Sequence, residues 1–182
     1  MESGADRIRR YGHRCLRKTA ARVDPADPGT RELLFTLWKT LRRDGGVGLA
    51  APQINRDQRV VIVLDPERPR GEQGIELVNP EITATFGPMV PFEEGCLSFP
   101  GLYTTVMRPK GVEVSFDSSS GRRSLREEGL ASRIIQHEVD HLDGVLFIDH
   151  LSATGRFLLW PRLIPFVVFE GWNKLFGRKR GA

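Results

Sequence analysis

Apolar positions repeat with a helical period near the start of the chain and with a strand period further along. Residues 30–43, TRELLFTLWKTLRR, place five large apolar side chains on one helical stripe, and the two glycines that follow end the predicted helix. Residues 59–65, RVVIVLD, form a short β-branched run that is typical of a buried strand. The pattern therefore predicts an N-terminal helix that leads into a sheet.

The middle of the chain predicts further strands that are joined by short turns. Residues 75–86, IELVNPEITATF, indicate an extended segment in which Pro80 marks an edge or a bend. Residues 111–125 predict a hairpin, because apolar residues alternate along GVEVSF before a turn rich in serine and glycine. Since short turns join antiparallel neighbours, whereas parallel strands need long crossovers, the pairing is expected to be antiparallel.

A second helix is predicted late in the chain, over residues 126–144, with Gly144 at its end. One face of this segment carries Leu130, Ile134, His137 and His141. The predicted fold class is α+β, with antiparallel β-sheets packed around a central helix that bears an H-E-x-x-H motif and with an N-terminal helix.

Composition constrains the size and the location of the protein. The 182 residues, of which 40% are hydrophobic and 27% charged, suit one globular domain with a sizeable core. No apolar h-region is visible at the N-terminus, so Cys15 and Cys96 are expected to be reduced thiols in a cytoplasmic protein. A net charge of +4 is compatible with an RNA-rich partner and does not require one.

The sequence QHEVDH, residues 136–141, points to metal chemistry. Residues four apart share a helical face, so His137 and His141 can direct two imidazoles at one ion, with Glu138 beside them. The alternative is a surface helix with two solvated histidines. Two ligands leave the site incomplete, because a catalytic zinc-type site has three protein ligands and one open position.

The candidates for the third ligand differ in their sequence context. In the metzincin pattern the third histidine would stand where this chain has Phe147, and His150 comes three residues too late. Glu170 lies in an apolar, proline-interrupted segment without a supporting motif. Cys96 is favoured over a buried structural cysteine, because its neighbours in PFEEGCLSFPG do not resemble a core strand. One thiolate and two imidazoles suit zinc, ferrous iron, cobalt or nickel, and do not suit magnesium or calcium.

The glycine-rich segment GGVGLAAPQ, residues 45–53, matches the relaxed dinucleotide fingerprint G-x-G-x-x-A. That fingerprint requires a strand before it and a helix after it, whereas here a predicted helix precedes it and a strand follows. A dinucleotide site is therefore excluded, and the glycines are interpreted as allowing the backbone to approach a ligand closely. Gln53 is either an amide that serves this ligand or a solvated loop residue.

Three segments together resemble the peptide deformylase family. GVGLAAPQ, EGCLS and QHEVDH match the family's three motifs, in the family's order and at similar separations. The segments YGHRCLRKTA, LVNPEI, MRP and HLDGVLFIDHL are also similar to family segments, so the resemblance covers roughly residues 7–152. The chain departs from many relatives at residues 13–15, where they carry an Asp-Pro pair, and Tyr103 occupies a position near the cleft that varies in the family.

The resemblance implies a specific set of site residues. One divalent metal ion, ferrous iron in the cell with zinc, nickel or cobalt as alternatives, would be bound by Cys96, His137 and His141. Glu138 would be the general acid/base, and the Gln53 side chain and the Leu97 N–H would donate to an oxyanion. The peptide-binding cleft would be lined by Gly46, Val47, Gly48, Glu94 and Gly95, and the methionine pocket by Leu130 and Ile134.

The implied reaction is removal of the formyl group from the initiator methionine of newly made polypeptides, with release of formate. Metal-bound water or hydroxide would be the nucleophile, because a bound ion lowers the pKa of water to about 7. N-formylmethionyl nascent peptides are the expected partners, and DNA is not expected. Alternatives are a metallopeptidase, a deformylase-like enzyme for another acyl group, and a ribosome-associated module without activity.

Residues 153–182 are expected to form an apolar and basic extension of a catalytic domain over residues 1–152. Its apolar run FLLWPRLIPFVVF is too short to span a bilayer, and its two prolines are expected to interrupt any helix. The run is expected by default to pack on a core groove or in a homodimer contact, and the alternative is that it lies on a membrane surface. The basic end, KLFGRKRGA, is either a ribosome contact or a solvated terminus.

Overall fold

The computed structural model describes residues 7–176, with side chains described as far as residue 168. Within that range the elements are α1 Pro28–Asp44, β1 Gly48–Ala50, β2 Val60–Leu64, β3 Gly74–Gly95, β4 Tyr103–Ser118, β5 Gly121–Glu128, α2 Gly129–Leu142 and α3 Ala153–Phe176. Single 3-10 turns occur at Arg14–Arg17, Ala51–Ile54 and Phe147–His150.

The five strands form one antiparallel sheet in the order β1-β2-β3-β4-β5. The predicted α+β class and antiparallel pairing are therefore confirmed, with one sheet in place of several. Strands β3 and β4 pair as far as Gly95 and Tyr103, and a register shift between Val78 and Glu81 marks the irregularity expected at Pro80. Cys96 directly follows the end of β3, so the pairing of β3 with β4 fixes its position.

Helix α1 forms where the apolar period predicts it. Pro28 occupies its first turn, where the missing N–H costs nothing, and Gly45 ends it with a φ of 74° in the left-handed region. Leu33, Leu37 and Leu41 are buried and pack with the side chains of β2 in one apolar cluster. The helix thus covers the start of the sheet, close to the glycine-rich segment.

Helix α2 begins at Gly129, so the prediction of a helix from residue 126 is wrong. Residues 126–128 are still paired with β4, and Arg126 forms an ion pair with Glu113 across the two strands. Gly129 then turns the chain with a φ of 65°, a conformation that glycine adopts readily. Cross-strand pairing overrides the helical period of these three polar residues.

The core side of α2 packs against the sheet. Its apolar side chains share one cluster with side chains of β2, β3 and β4, and the buried helical members are Ile134, Ile135, Val139 and Leu142. Since the helix lies on the sheet through this face, its neighbouring face is left to line a cavity beside β1. The motif QHEVDH lies in the last two turns of α2.

Helix α3 continues through Pro161 and Pro165, so the expected interruption is wrong. Each proline removes one backbone hydrogen bond, but Leu159 and Leu163 are held in the apolar cluster of Phe99 and keep the helix in place. The side chain of the ligand candidate at position 170 lies outside the described residues, as do the side chains of the basic end KLFGRKRGA and the whole of residues 177–182. Among the described helices, none combines the length and the apolar content that crossing a bilayer requires.

Asn79 ties β3 to the segment that precedes α1. It adopts a φ of 51°, its Oδ1 accepts from the Val23 N–H at 2.9 Å, and its Nδ2 donates to the Val23 carbonyl at 2.7 Å and to Asp117 Oδ2 at 2.8 Å. Asparagine tolerates the left-handed region better than most residues and here satisfies three polar partners.

We expect Asn79→Ala to lower the free energy of unfolding by about 3 kcal/mol, because three hydrogen bonds are lost and a methyl group is left at positive φ. Urea denaturation followed by circular dichroism measures the change. Thr83→Ala, at an exposed position of the same strand, is the control and should cost less than about 1 kcal/mol. Equal effects of the two substitutions would contradict the role of Asn79.

Candidate metal centre and catalytic cavity

A cavity of about 510 Å³ lies between β1, the end of β3 and helix α2. Twelve of the thirteen site residues expected from the sequence line it: Gly46, Val47, Gly48, Gln53, Glu94, Gly95, Cys96, Leu97, Leu130, Ile134, His137 and Glu138. The exception is His141, which is buried behind the cavity wall and contacts Cys96 from that side. Segments far apart in sequence therefore converge on one volume.

Cys96, His137 and His141 form the one cluster in the described part of the chain whose side chains could together hold a metal ion; it is called the metal-ligating cluster below. Their ligand atoms all lie within 4.8 Å of one another, and Cys96 Sγ is 3.3 Å from His141 Nε2. Burial and then the neighbouring His137 lower the pKa of His141 well below its usual value, so its imidazole is neutral. One thiolate and two imidazoles are ligands that fit zinc, ferrous iron, cobalt or nickel.

Glu94 orients the first histidine of the motif. Its Oε2 lies 2.9 Å from His137 Nδ1, which leaves Nε2 as the nitrogen available to a metal. The same carboxylate accepts two hydrogen bonds from Arg108, at 2.7 and 3.1 Å, and one from Arg133 at 3.0 Å. Burial alone would raise the pKa of Glu94, but the bonds from His137 and Arg108 outweigh it and hold that pKa well below its ordinary range.

Arg108 extends this network towards the end of α2. Its Nη1 donates to Asp140 Oδ2 at 2.7 Å, and His150 Nε2 lies 2.7 Å from the same oxygen. Burial would raise the pKa of Asp140, but the contacts with His150 and Arg108 lower it below the usual aspartate value. His150 is thus engaged by a carboxylate, as suits a residue that supports the site and does not ligate.

Glu138 faces the cavity from α2 beside the metal-ligating cluster. Its side chain is buried, its Oε2 has no hydrogen-bond partner, and burial raises its pKa to about 7. A carboxyl group with a pKa near neutrality can both accept and donate a proton at physiological pH. Gly48 of β1 makes room for it, because a β-carbon there would lie 2.5 Å from Glu138 Oε1.

Gln53 is buried, so its interpretation as a solvated loop residue is wrong. Its Oε1 accepts from the Ala50 N–H at 2.8 Å, which directs Nε2 towards Ser98 Oγ at 3.2 Å and Cys96 Sγ at 3.4 Å. The backbone of the preceding segment fixes the turn, since the Arg9 N–H donates to the Gln53 carbonyl at 2.7 Å. The amide is therefore a donor aimed at the metal-ligating cluster.

The sequence interpretation did not identify the two arginines and the serine of this network. Arg133 lies one turn before His137 among buried residues of α2, and a charged residue on that face is a usable signal. Ser98 closes the EGCLS motif and Arg108 lies in the MRP segment, so the resemblance included both residues without giving either a role. Only the pairing of β3 with β4 brings Arg108 to Glu94.

Comparison with known proteins agrees with this geometry. The model of the polypeptide deformylase family matches residues 5–157. The chain belongs to the polypeptide deformylase family. The match covers most of the chain, and the family's proteins are metal-dependent hydrolases of protein biosynthesis. The resemblance seen in the three sequence motifs is confirmed, and the protein is a peptide deformylase enzyme.

Similar proteins include deformylases from several organisms. The peptide deformylase of a Picosynechococcus strain is 42% identical over 143 residues, which span 78% of this chain and 76% of that protein. Among solved structures, a plant peptide deformylase has a TM-score of 0.83 at 33% identity, covering 93% of this chain and 92% of its own. The Synechococcus elongatus enzyme, in complex with actinonin, has a TM-score of 0.80 at 36% identity, with coverages of 87% and 86%.

We expect the purified protein to hold about one divalent metal ion per chain and Cys96→Ala to lose most of it, because two imidazoles alone leave the site short of its third ligand. Elemental analysis of protein prepared without oxygen measures the content. Cys15→Ala removes the other thiol, which lies outside the cluster, and should leave the metal content unchanged. Full metal content in the Cys96→Ala protein would show that the thiol is not a ligand.

We expect Gly48→Ala to reduce deformylase turnover by at least about tenfold, because the added methyl group would displace the Glu138 carboxyl. Formate release from a formylated peptide measures turnover, and metal content should stay unchanged. Gly155→Ala on α3, where the nearest atoms lie at an ordinary 3.4 Å, is the matched control. Wild-type turnover in Gly48→Ala would mean that the close approach has no catalytic importance.

Proposed function

We propose that this enzyme removes the formyl group from the N-terminal methionine of newly made polypeptides in the cytoplasm and releases formate. The observation that carries the proposal is the convergence of the Glu138 carboxyl and the Gln53 amide on one cavity beside the three metal-ligating side chains. A proton-transfer group and an aimed hydrogen-bond donor are the two elements that amide hydrolysis needs from the protein.

Cys96, His137 and His141 are proposed to hold the metal ion, with ferrous iron in the cell. When bound there, a divalent ion supplies Lewis-acid activation of a water molecule near neutral pH. The contact from Glu94 keeps the His137 ring oriented, and the neutral state of His141 keeps its lone pair available.

Glu138 is proposed to move the proton of the reaction. As a carboxylate it takes a proton from the attacking water, and as a carboxylic acid it gives that proton to the nitrogen of the leaving peptide. Its pKa of about 7, which results chiefly from burial, suits both steps. The unpartnered Oε2 faces no protein donor that would compete for this role.

Gln53 is proposed to stabilise negative charge on the formyl oxygen, together with the backbone N–H of Leu97. The bond from Ala50 holds the Gln53 amide in one orientation, so its donor needs no rearrangement when charge develops. Removal of one such donor in other oxyanion holes costs about 3 kcal/mol, a loss of 10²- to 10³-fold in turnover.

The methionine side chain is proposed to lie against Leu130 and Ile134, and the peptide backbone along Gly46, Val47, Gly48 and Gly95. Glu94 lines the same cavity, but its carboxylate is occupied by Arg108, Arg133 and His137. Its role in the proposal is therefore to position His137, and contact with the peptide is left to its neighbours.

We expect Glu138→Gln to reduce formate release from N-formyl-Met-Ala-Ser by about 10²- to 10⁴-fold, because an amide cannot accept and return the proton. Metal content should remain that of the wild type. Glu72→Gln, at an exposed loop position, is the control and should keep full turnover.

The acetylated peptide separates this substrate from other acyl groups. The wild-type enzyme should release no acetate from N-acetyl-Met-Ala-Ser under conditions of rapid formate release. Near-native turnover in Glu138→Gln would assign proton transfer to another group, and equal cleavage of both peptides would contradict the proposed selectivity for formyl.

A further inference from the structure

Helix α3 exposes a concentration of large apolar side chains. Of the twelve large hydrophobic residues exposed in the described part of the chain, six lie within twelve residues of this helix: Phe157, Leu158, Trp160, Ile164, Val167 and Val168. Phe157 is 77% exposed and Leu158 is 72% exposed. Exposed apolar residues that occur singly need no explanation, whereas a contiguous group marks an interaction surface.

Four of these six exposed residues form one stripe because of their spacing. Positions 157, 160, 164 and 168 recur at intervals of three and four residues, so they share a face of the helix. Leu159 and Leu163 occupy the opposite side and are buried in the core with Phe99. One face of α3 thus anchors the helix to the domain, while the other face exposes apolar side chains to solvent.

Charge is concentrated in the same part of the chain. Residues 153–182 contain six basic residues and one acidic residue, a net charge of +5, whereas the first 152 residues carry 21 basic and 22 acidic residues, a net charge of −1. The apolar stripe is therefore part of a strongly basic segment, and its partner should be both apolar and anionic.

We propose that α3 docks on the surface of an anionic lipid bilayer, lying in the plane of the membrane with the stripe Phe157–Trp160–Ile164–Val168 buried among the headgroups. Membrane-surface helices combine an apolar face with basic flanks, and their binding strengthens with apolar area and with anionic lipid. Trp160 suits this depth, because indole rings favour the boundary between headgroup and hydrocarbon. The docking surface is separate from the catalytic cavity and does not depend on the proposed reaction.

Two other partners fit the observations less well. A second copy that used the same face would bring two segments of net charge +5 together, and like charges at an interface oppose association. A ribosomal RNA surface would satisfy the charge but would leave the apolar stripe without a matching surface. Both remain outcomes that the experiment distinguishes.

The test is co-sedimentation of the full-length protein with vesicles of equal parts phosphatidylglycerol and phosphatidylcholine, compared with pure phosphatidylcholine. We expect at least about tenfold stronger binding to the anionic vesicles, and weaker binding as salt is raised. The double substitution Phe157→Ser with Ile164→Ser should reduce binding at least about tenfold. The matched pair Phe35→Ser with Met89→Ser, exposed outside α3, should bind as the wild type does.

Thermal unfolding of each variant establishes that it is folded, since all four positions are exposed. Absence of vesicle binding, or an equal loss in both double variants, would overturn the proposal. Wild-type binding by Phe157→Ser with Ile164→Ser would also overturn it, because charge alone would then account for the attraction. A dimer that this variant abolishes, or binding to salt-washed ribosomes without binding to vesicles, would assign the face to those partners.

Discussion

The buried carboxylate of Glu94 is the interaction on which the rest of the site depends. A charged carboxylate inside a protein costs several kcal/mol unless it is paired, and Glu94 meets that requirement through Arg108, Arg133 and His137. Because Arg108 belongs to β4 and Arg133 to α2, one side chain at the end of β3 joins the helix to the sheet. The orientation of the His137 ring is a consequence of this junction.

One face of helix α2 packs in the core, and the adjacent face lines the cavity. Ile135 and Leu142 are completely buried with the side chains of the sheet, which fixes the helix rigidly. His137 and Glu138 follow on the side towards the cavity, where burial that stabilises the helix also raises the pKa of Glu138 to about 7. The proton-transfer group is therefore tuned by the same packing that holds the domain together.

The opposite wall of the cavity is held in place by segments from near both ends of the chain. The backbone of the N-terminal segment binds the turn of Gln53 and the loop of Ser98, through bonds of 2.7 Å from Arg9 and 2.9 Å from Tyr11. Helix α3 packs Leu159 and Leu163 behind that loop, in the cluster of Phe99. The described N-terminal residues and helix α3 thus both stabilise elements that carry candidate site residues.

Local periodicity along the chain is enough to predict several elements and to place the H-E-x-x-H motif on one helix. Helix α1, strand β2 and the hairpin of β4 and β5 follow from apolar spacing and turn residues, and His137 and His141 share a face because four residues make about one helical turn.

Other features depend on contacts between segments that are distant in sequence, and local patterns did not predict them. Residues 126–128 became strand because β4 offers them a cross-strand partner, and α3 continued through two prolines because its buried face is anchored in the core. Arg108 reaches the site only through the register of β3 and β4. The sequence alone does not show which residues of two paired strands lie opposite each other.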